Sequence, residues 1–154
     1  MNFADIAKKQ LSEIERPPLP PIGMYRWQVT KIPAAEDSGD KLWTSLRFPV
    51  KAIEAYDNVD ADELRKFGGI KNVVSSVQFL FDNSDTTKFQ QTEFRLKTFL
   101  EKHLQVENAA NMSLGEALTA ALNCQCDGEF AHRPDKNDRE LVYGEIRKTS
   151  PVRE

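Results

Sequence analysis

Lys41, Trp43, Ser45 and Arg47 stand at alternate positions, and Leu42, Leu46, Phe48 and Val50 occupy positions of the opposite parity. A period of two is the mark of a strand with one face buried, so this stretch is expected to turn a tryptophan and two cations toward solvent. An indole flanked by cations suits stacking on an unpaired nucleobase while its neighbours neutralise phosphates. Large aromatics are usually well buried, so a helix laid over Trp43 would explain the residue as well; the N-terminal helix and residues 89–104 are the two candidates. Arg26 and Gln28 oppose the apolar face of an earlier strand and could extend the same surface. Tyr143 and Arg147 share a parity near the C-terminus and could do likewise. The nearby loop cations Arg133, Lys136 and Arg139 are diluted by Asp135, Asp138 and Glu140.

Other chemistry is weakly supported. Cys124 and Cys126 are one residue apart, with His132 beyond them and His103 before. Structural zinc sites space paired cysteines by about two to four residues and need four ligands, so two buried, reduced thiols are the better reading and no metal is expected. Pro134-Asp135 followed by Glu145-Ile146-Arg147 has the outline of a metal-dependent nuclease, but it places arginine where such enzymes use lysine. Arginine stays protonated and cannot act as a tunable base. The chain has no glycine-rich phosphate loop, His-Glu-x-x-His or Gly-x-Ser-x-Gly motif, so neither catalysis nor a cofactor is expected.

The elements that must position these residues follow from pattern. Phe3, Ile6, Ala7, Leu11 and Ile14 recur at helical spacing and predict an amphipathic helix over residues 1–16. Pro17-Pro18-Leu19-Pro20-Pro21 is an extended, stiff linker over 17–21. A domain over 22–154 follows. Residues 23–32 alternate, with Tyr25, Trp27 and Val29 on one face. Glu36-Asp37-Ser38-Gly39-Asp40 is a polar turn, and residues 41–53 form the second strand. Residues 60–67 predict a short helix stopped by Gly68-Gly69, and 73–81 a third strand. A helix over 86–104, with Phe94 among its apolar positions, and a second helix from Ser113 to Leu122 precede two last strands, 124–132 and 140–148. This order predicts an α+β, mainly β fold: a five-stranded oligonucleotide-binding (OB)-like barrel with helices between its third and fourth strands and a separate N-terminal helix.

Length and composition set the class. A chain of 154 residues with 40% hydrophobic and 29% charged residues is sized for one globular domain with a real core. No apolar stretch approaches a membrane span, and no apolar region follows the lysines of residues 1–10, so a cytoplasmic protein without a membrane partner is expected. The net charge of −3 argues mildly against bulk coating of nucleic acid, although a local patch matters more than the total.

Pro21-Ile22-Gly23-Met24-Tyr25, the helical insertion before the fourth strand, and the closing hairpin of 138–143 running into Gly144-Glu145-Ile146-Arg147-Lys148 and Pro151 carry a resemblance. On these patterns the chain, from about Pro21 to Val152, resembles the small single-stranded DNA-binding proteins of bacteriophages and prophages. The resemblance implies an OB barrel that coats single strands during replication or recombination in the host bacterial cytoplasm, acting without a cofactor. On the residue reading, Arg26, Lys41, Trp43, Arg47, Tyr143 and Arg147 would contact the strand. Many replication-type members end in an acidic tail that recruits partners, whereas this sequence ends Thr149-Ser150-Pro151-Val152-Arg153-Glu154; either recruitment or self-association falls to the N-terminal helix, or the protein has a different job. The competing reading is a non-enzymatic assembly protein that uses the barrel as scaffold and that helix to dock a partner.

Overall fold

Alternation dictates the sheet. In a computed structural model, which describes residues 2–154, Gly23–Val29 forms β1 with Tyr25, Trp27 and Val29 buried and Met24, Arg26 and Gln28 only partly covered. Ala34–Asp37 forms β2, and Trp43–Ala55 forms β3, whose Leu46, Phe48, Val50 and Ala52 point into the core. Val74–Asp82 is β4, Gln125–Pro134 is β5 and Val142–Ser150 is β6. All pairings are antiparallel. The strand order is β2-β3-β1-β5-β6, with β4 also bonded to β3.

The fold is thus α+β and mainly sheet, but the expected five-stranded barrel is corrected in two ways. A sixth strand, β2, occupies part of the segment expected to be a plain polar turn. Its four exposed residues ladder with Thr44–Arg47 of β3. The sheet also stays unclosed: β4 comes near β6 without a ladder between them. The alternation pattern predicts strands but says nothing of whether the last edges meet, because closure depends on twist and stagger across all strands.

The helices begin and end where their caps say. In α1 (Phe3–Ala7), Asn2 accepts a hydrogen bond from the Asp5 amide. In α2 (Ala61–Phe67), Asp60 accepts from the amides of Asp62 and Glu63, and Gly68 closes the helix at φ 113°, a conformation that disfavours side chains. In α3 (Thr86–Thr98), Asp85 caps the Lys88 amide. In α4 (Leu114–Ala120), Ser113 caps Glu116. α3 runs on into a π-helical turn, Phe99–His103, where the Leu104 amide donates to the Phe99 carbonyl at 2.8 Å. That extra residue per turn lets Phe99, Leu100 and Leu104 all reach the core.

The single amphipathic helix expected over 1–16 is also corrected. The arm holds only α1 and a 3₁₀ turn, Leu11–Glu13, with no buried residue in either. So short a helix gains little from propensity and needs a tertiary surface to hold its apolar face. Among the described residues, no helix is long and apolar enough to cross a membrane.

Two aromatic groups fill the interior. Tyr25 and Trp27 lie 5.2 Å apart, with Phe130 at 6.1 Å from Trp27. Phe48 lies 5.1 Å from Phe99 and 5.7 Å from Phe79. The Trp27 indole donates to the Gly128 carbonyl at 3.0 Å, which satisfies the one polar atom of a fully buried ring. This approach requires glycine, because a Cβ at residue 128 would sit 2.6 Å from Cγ2 of Ile146 and 3.3 Å from the Trp27 ring. Gly128→Ala is therefore expected to destabilise the fold by about 1–3 kcal/mol, read as a lower urea midpoint at unchanged slope. A midpoint equal to the parent's would show that β5 and β6 yield freely here.

Candidate functional site

β3 presents Trp43, Ser45 and Arg47 on its outer face, as the alternation predicts, and β4 sets Leu80 opposite Ser45 and Gln78 opposite Arg47. The Gln78 side-chain amide donates to the Ser45 hydroxyl at 2.8 Å, bracing the two strands on this face. α3 lies against the same edge, held by the Thr92 hydroxyl donating to the Leu80 carbonyl at 3.1 Å. Between them runs a shallow groove of about 800 Å³, with Trp43, Leu80 and Phe94 as its apolar floor and rim and Lys88 and Arg95 beside them. Trp43 is 39% exposed, Leu80 44% and Phe94 67%. α3 therefore flanks Trp43 without covering it, which places the residue between the two sequence readings.

The structure sorts the candidate cations. Arg47 is exposed, and among the described residues no carboxylate lies within salt-bridge distance of Arg47, Lys41, Lys51, Lys88 or Arg95. Lys41 is not on the strand. It sits in the preceding turn at φ 60°, with its carbonyl accepting from Asn83 Nδ2 at 3.1 Å, so strand parity does not place it. Leu42, read as a core position, is exposed in that same turn, and Phe94 is exposed on α3. Asp82 also lines the groove; the Ser84 hydroxyl and amide bind its carboxylate and hold it below the usual carboxylate range, with Lys88 adding to the effect.

Arg26, Tyr143 and Arg147 lie elsewhere. Arg26 pairs in register with Glu54, eleven residues along β3 from Trp43, or roughly 36 Å of strand at about 3.3 Å per residue. Its guanidinium is engaged by Glu54 at 3.4 Å, the Tyr56 hydroxyl at 3.2 Å and the Arg153 carbonyl at 3.0 Å. Tyr143 and Arg147 share a face of β6, which pairs with β5 and comes near β4, and neither residue lines the groove. Tyr143 is exposed, while Arg147 binds Glu145 at 2.7 Å, and Arg133 reaches the same carboxylate at 3.1 Å. A cation already neutralised by its own chain must break that pair to meet a phosphate, so the unpaired cations around Trp43 form the more available surface.

Behind Arg26 is a feature the sequence reading missed. Asp127 is fully buried; its Oδ1 accepts from the Tyr56 hydroxyl at 2.7 Å and its Oδ2 from the Arg153 amide at 3.0 Å. The Arg153 guanidinium lies 4.3 Å over the Tyr56 ring. Burial, then the Asp127 carboxylate, raises the Tyr56 hydroxyl above its ordinary pKa, keeping it a donor. Nothing in the string Cys126-Asp127-Gly128 signals a buried acid, since its partners come from β1, the end of β3 and the C-terminus. Leu80, Lys88, Phe94 and Arg95 also escaped the sequence reading as site residues, although Lys88 and Arg95 are spaced to share one face of a helix.

The cysteines are set apart from this chemistry. Cys126 is buried, and burial, helped by Asp127, pushes its thiol up to about 12. Cys124 is partly covered, its thiol donating to the Ala120 carbonyl, and burial raises it too. The histidines are engaged elsewhere, His103 with the Thr149 hydroxyl at 2.8 Å and His132 with the Pro20 carbonyl at 2.7 Å. Among the described residues, no three His, Cys, Asp or Glu side chains converge as a metal site.

Tyr56→Phe removes one donor from a buried carboxylate and is expected to cost about 1.5–3 kcal/mol of stability in urea melts. Stability within error of the parent's would show that the Asp127 carboxylate is satisfied without the hydroxyl. Native Cys126 is also expected to resist alkylation at pH 8 and to label only on unfolding, as mass spectrometry would show. No protein-family model matches this chain and no curated protein matches it, so what the site does must follow from its own geometry.

Proposed function

We propose that this protein binds single-stranded DNA without catalysis, and that the groove between β3, β4 and α3 is where a base is stacked. The observation that carries the reading is Trp43, 39% exposed beside Leu80 and Phe94, with Lys88 and Arg95 lining the same groove and Arg47 further along the same face of β3, none of the three within salt-bridge distance of a carboxylate among the described residues. An unpaired base offers a π face to the indole, and the cations neutralise phosphates and release counterions. A base in a duplex is already stacked on both faces, so the groove favours single strands.

The strand pairing supports an OB-like reading of the sheet. β1 lies between β3 and β5, β4 pairs with β3, and β6 pairs with β5, with α3 and α4 inserted between β4 and β5. An OB barrel has this order and closes between the strands that correspond to β4 and β6; here that seam is unpaired and β2 is added as a ribbon on β3. Together with the sequence resemblance to phage and prophage single-strand binders, this supports coating of DNA during replication or recombination in a bacterial host. With few free cations and a net charge of −3, affinity per copy is modest.

The test is a titration of dye-labelled oligo-dT read by fluorescence anisotropy, a signal that does not depend on Trp43; in the parent, where Trp27 is fully buried, quenching on binding reports Trp43 as well. Trp43→Ala is expected to leave the melt close to the parent's and to weaken binding by about 1–3 kcal/mol, roughly 5- to 150-fold. Affinity should fall as salt rises, with a log–log slope of about −2 to −3 if three or four phosphates are neutralised at about −0.7 each. EDTA should have no effect. Equal affinity for duplex of the same length would replace base stacking with backbone binding, and no binding to either at low salt would end the proposal.

A further inference from the structure

The groove beside Trp43 holds one charged side chain that phosphate contacts do not explain. Asp82, the last residue of β4, stands directly opposite Trp43 in the β3–β4 ladder. Both side chains therefore rise on the outer face, with about 5 Å between their Cβ atoms. Asp82 is only 8% exposed, and it lines the groove. Its carboxylate is fixed in place, since the Ser84 hydroxyl and amide both donate to Oδ1, at 2.6 and 3.0 Å. The turn beyond it is pinned to the chain just before β3: the Asn83 amide donates to the Leu42 carbonyl at 2.9 Å and its side chain to the Lys41 carbonyl at 3.1 Å. Among the described residues, no donor bonds Oδ2 and no cation lies within salt-bridge distance of it. No buried side-chain oxygen or nitrogen among them lacks a partner, so Oδ2 is open to solvent, on the side chain that walls the groove.

We infer that Asp82 selects the base: resting on the stacking of a base on Trp43 proposed above, Oδ2 accepts a hydrogen bond from that base's exocyclic amino group, so that among pyrimidines the groove prefers cytosine to thymine. The chemistry sets the direction. An ionised carboxylate accepts and cannot donate, and the two Ser84 bonds keep this one ionised at neutral pH. Cytosine carries an amino donor where thymine carries a carbonyl oxygen. Set against Oδ2, the cytosine amino group completes a hydrogen bond, whereas the thymine carbonyl leaves two acceptors facing each other with no proton between them. Gln90 and Gln91, which also line the groove, each bring both a donor and an acceptor and so do not discriminate. A carboxylate repels phosphate, which makes Asp82 a poor backbone contact. Lys88, Arg95 and Arg47 serve the backbone, and the fixed oxygen beside the indole is left for the edge of the base.

Dye-labelled oligo-dC, oligo-dT and oligo-dU of equal length, titrated at neutral pH and read by anisotropy, test the preference. The parent should bind oligo-dC about tenfold more tightly than oligo-dT, with oligo-dU close to oligo-dT because the thymine methyl takes no part. In Asp82→Asn the side-chain oxygen keeps the Ser84 donors and the amide NH₂ takes the place of Oδ2. The preference should then vanish or turn toward thymine, whose carbonyl accepts from that NH₂. Trp43→Ala should weaken binding of both oligo-dC and oligo-dT. Equal affinity of the parent for oligo-dC and oligo-dT, with Trp43→Ala still weakening both, would overturn this inference and leave the stacking reading standing. Trp43→Ala without effect on either would overturn the two together. A cytosine preference that persists in a folded Asp82→Asn would belong to another group and would remove Asp82 from the role; the parent's own ratio needs no variant and decides the matter even if that substitution lowers the melt.

Discussion

β3 holds the molecule's two ends in relation to each other. Along one edge its thirteen residues pair with β4 from Trp43 to Lys51, and along the other with β2 over Thr44–Arg47 and with β1 over Val50–Ala55. One strand serves three partners because its inward residues, Leu46, Phe48, Val50 and Ala52, remain buried throughout while its edges change neighbours. This pairing puts Trp43 beside β4 and α3, and it carries Glu54 and Tyr56 to Arg26 and Asp127 far along the chain. The two ends are consequently distinct places with distinct chemistry.

The Asp127 end is structural. A buried carboxylate is tolerated only when hydrogen bonds and opposite charge replace water, and Tyr56, the Arg153 amide and two guanidiniums at 3.8 and 3.9 Å do so. The arrangement ties β1, β5 and the C-terminal residues into one cluster, and it keeps Arg26 committed within the chain. The Trp43 end is its opposite. There, among the described residues, no carboxylate lies within salt-bridge distance of Arg47, Lys88 or Arg95, the aromatics are partly uncovered, and the polar contacts brace the two strands while leaving the groove open.

Phe94 joins the two open surfaces. It borders both the groove beside Trp43 and the groove between α3 and α4. An exposed phenylalanine on a helix whose other apolar residues, Leu96, Phe99 and Leu100, are buried is a residue the core did not need. Its position gives the two concavities a shared wall.

Much of the architecture was legible in the residues alone, because period-two alternation and capping are local. Tyr25, Trp27 and Val29 are buried as their alternation requires, Asp60 and Ser113 cap where their neighbours place them, and α3 begins after Asp85. The outward face of Trp43, Ser45 and Arg47 was local information too. Other features depended on distant chain. Lys41 left the stripe because a turn hydrogen-bonded to Asn83 intervened, and β2 formed because Thr44–Arg47 offered it an edge. The expected arm helix shortened because no surface in its own chain received it. Arg26 and Arg147 looked as free as Arg47 in sequence, and only the fold brought Glu54, Asp127 and Glu145 to them. Sequence determines which faces are apolar and where elements start, because those depend on neighbours a few residues away. Which cations stay unpaired, and whether the sheet closes, depends on long-range pairing that no local pattern encodes.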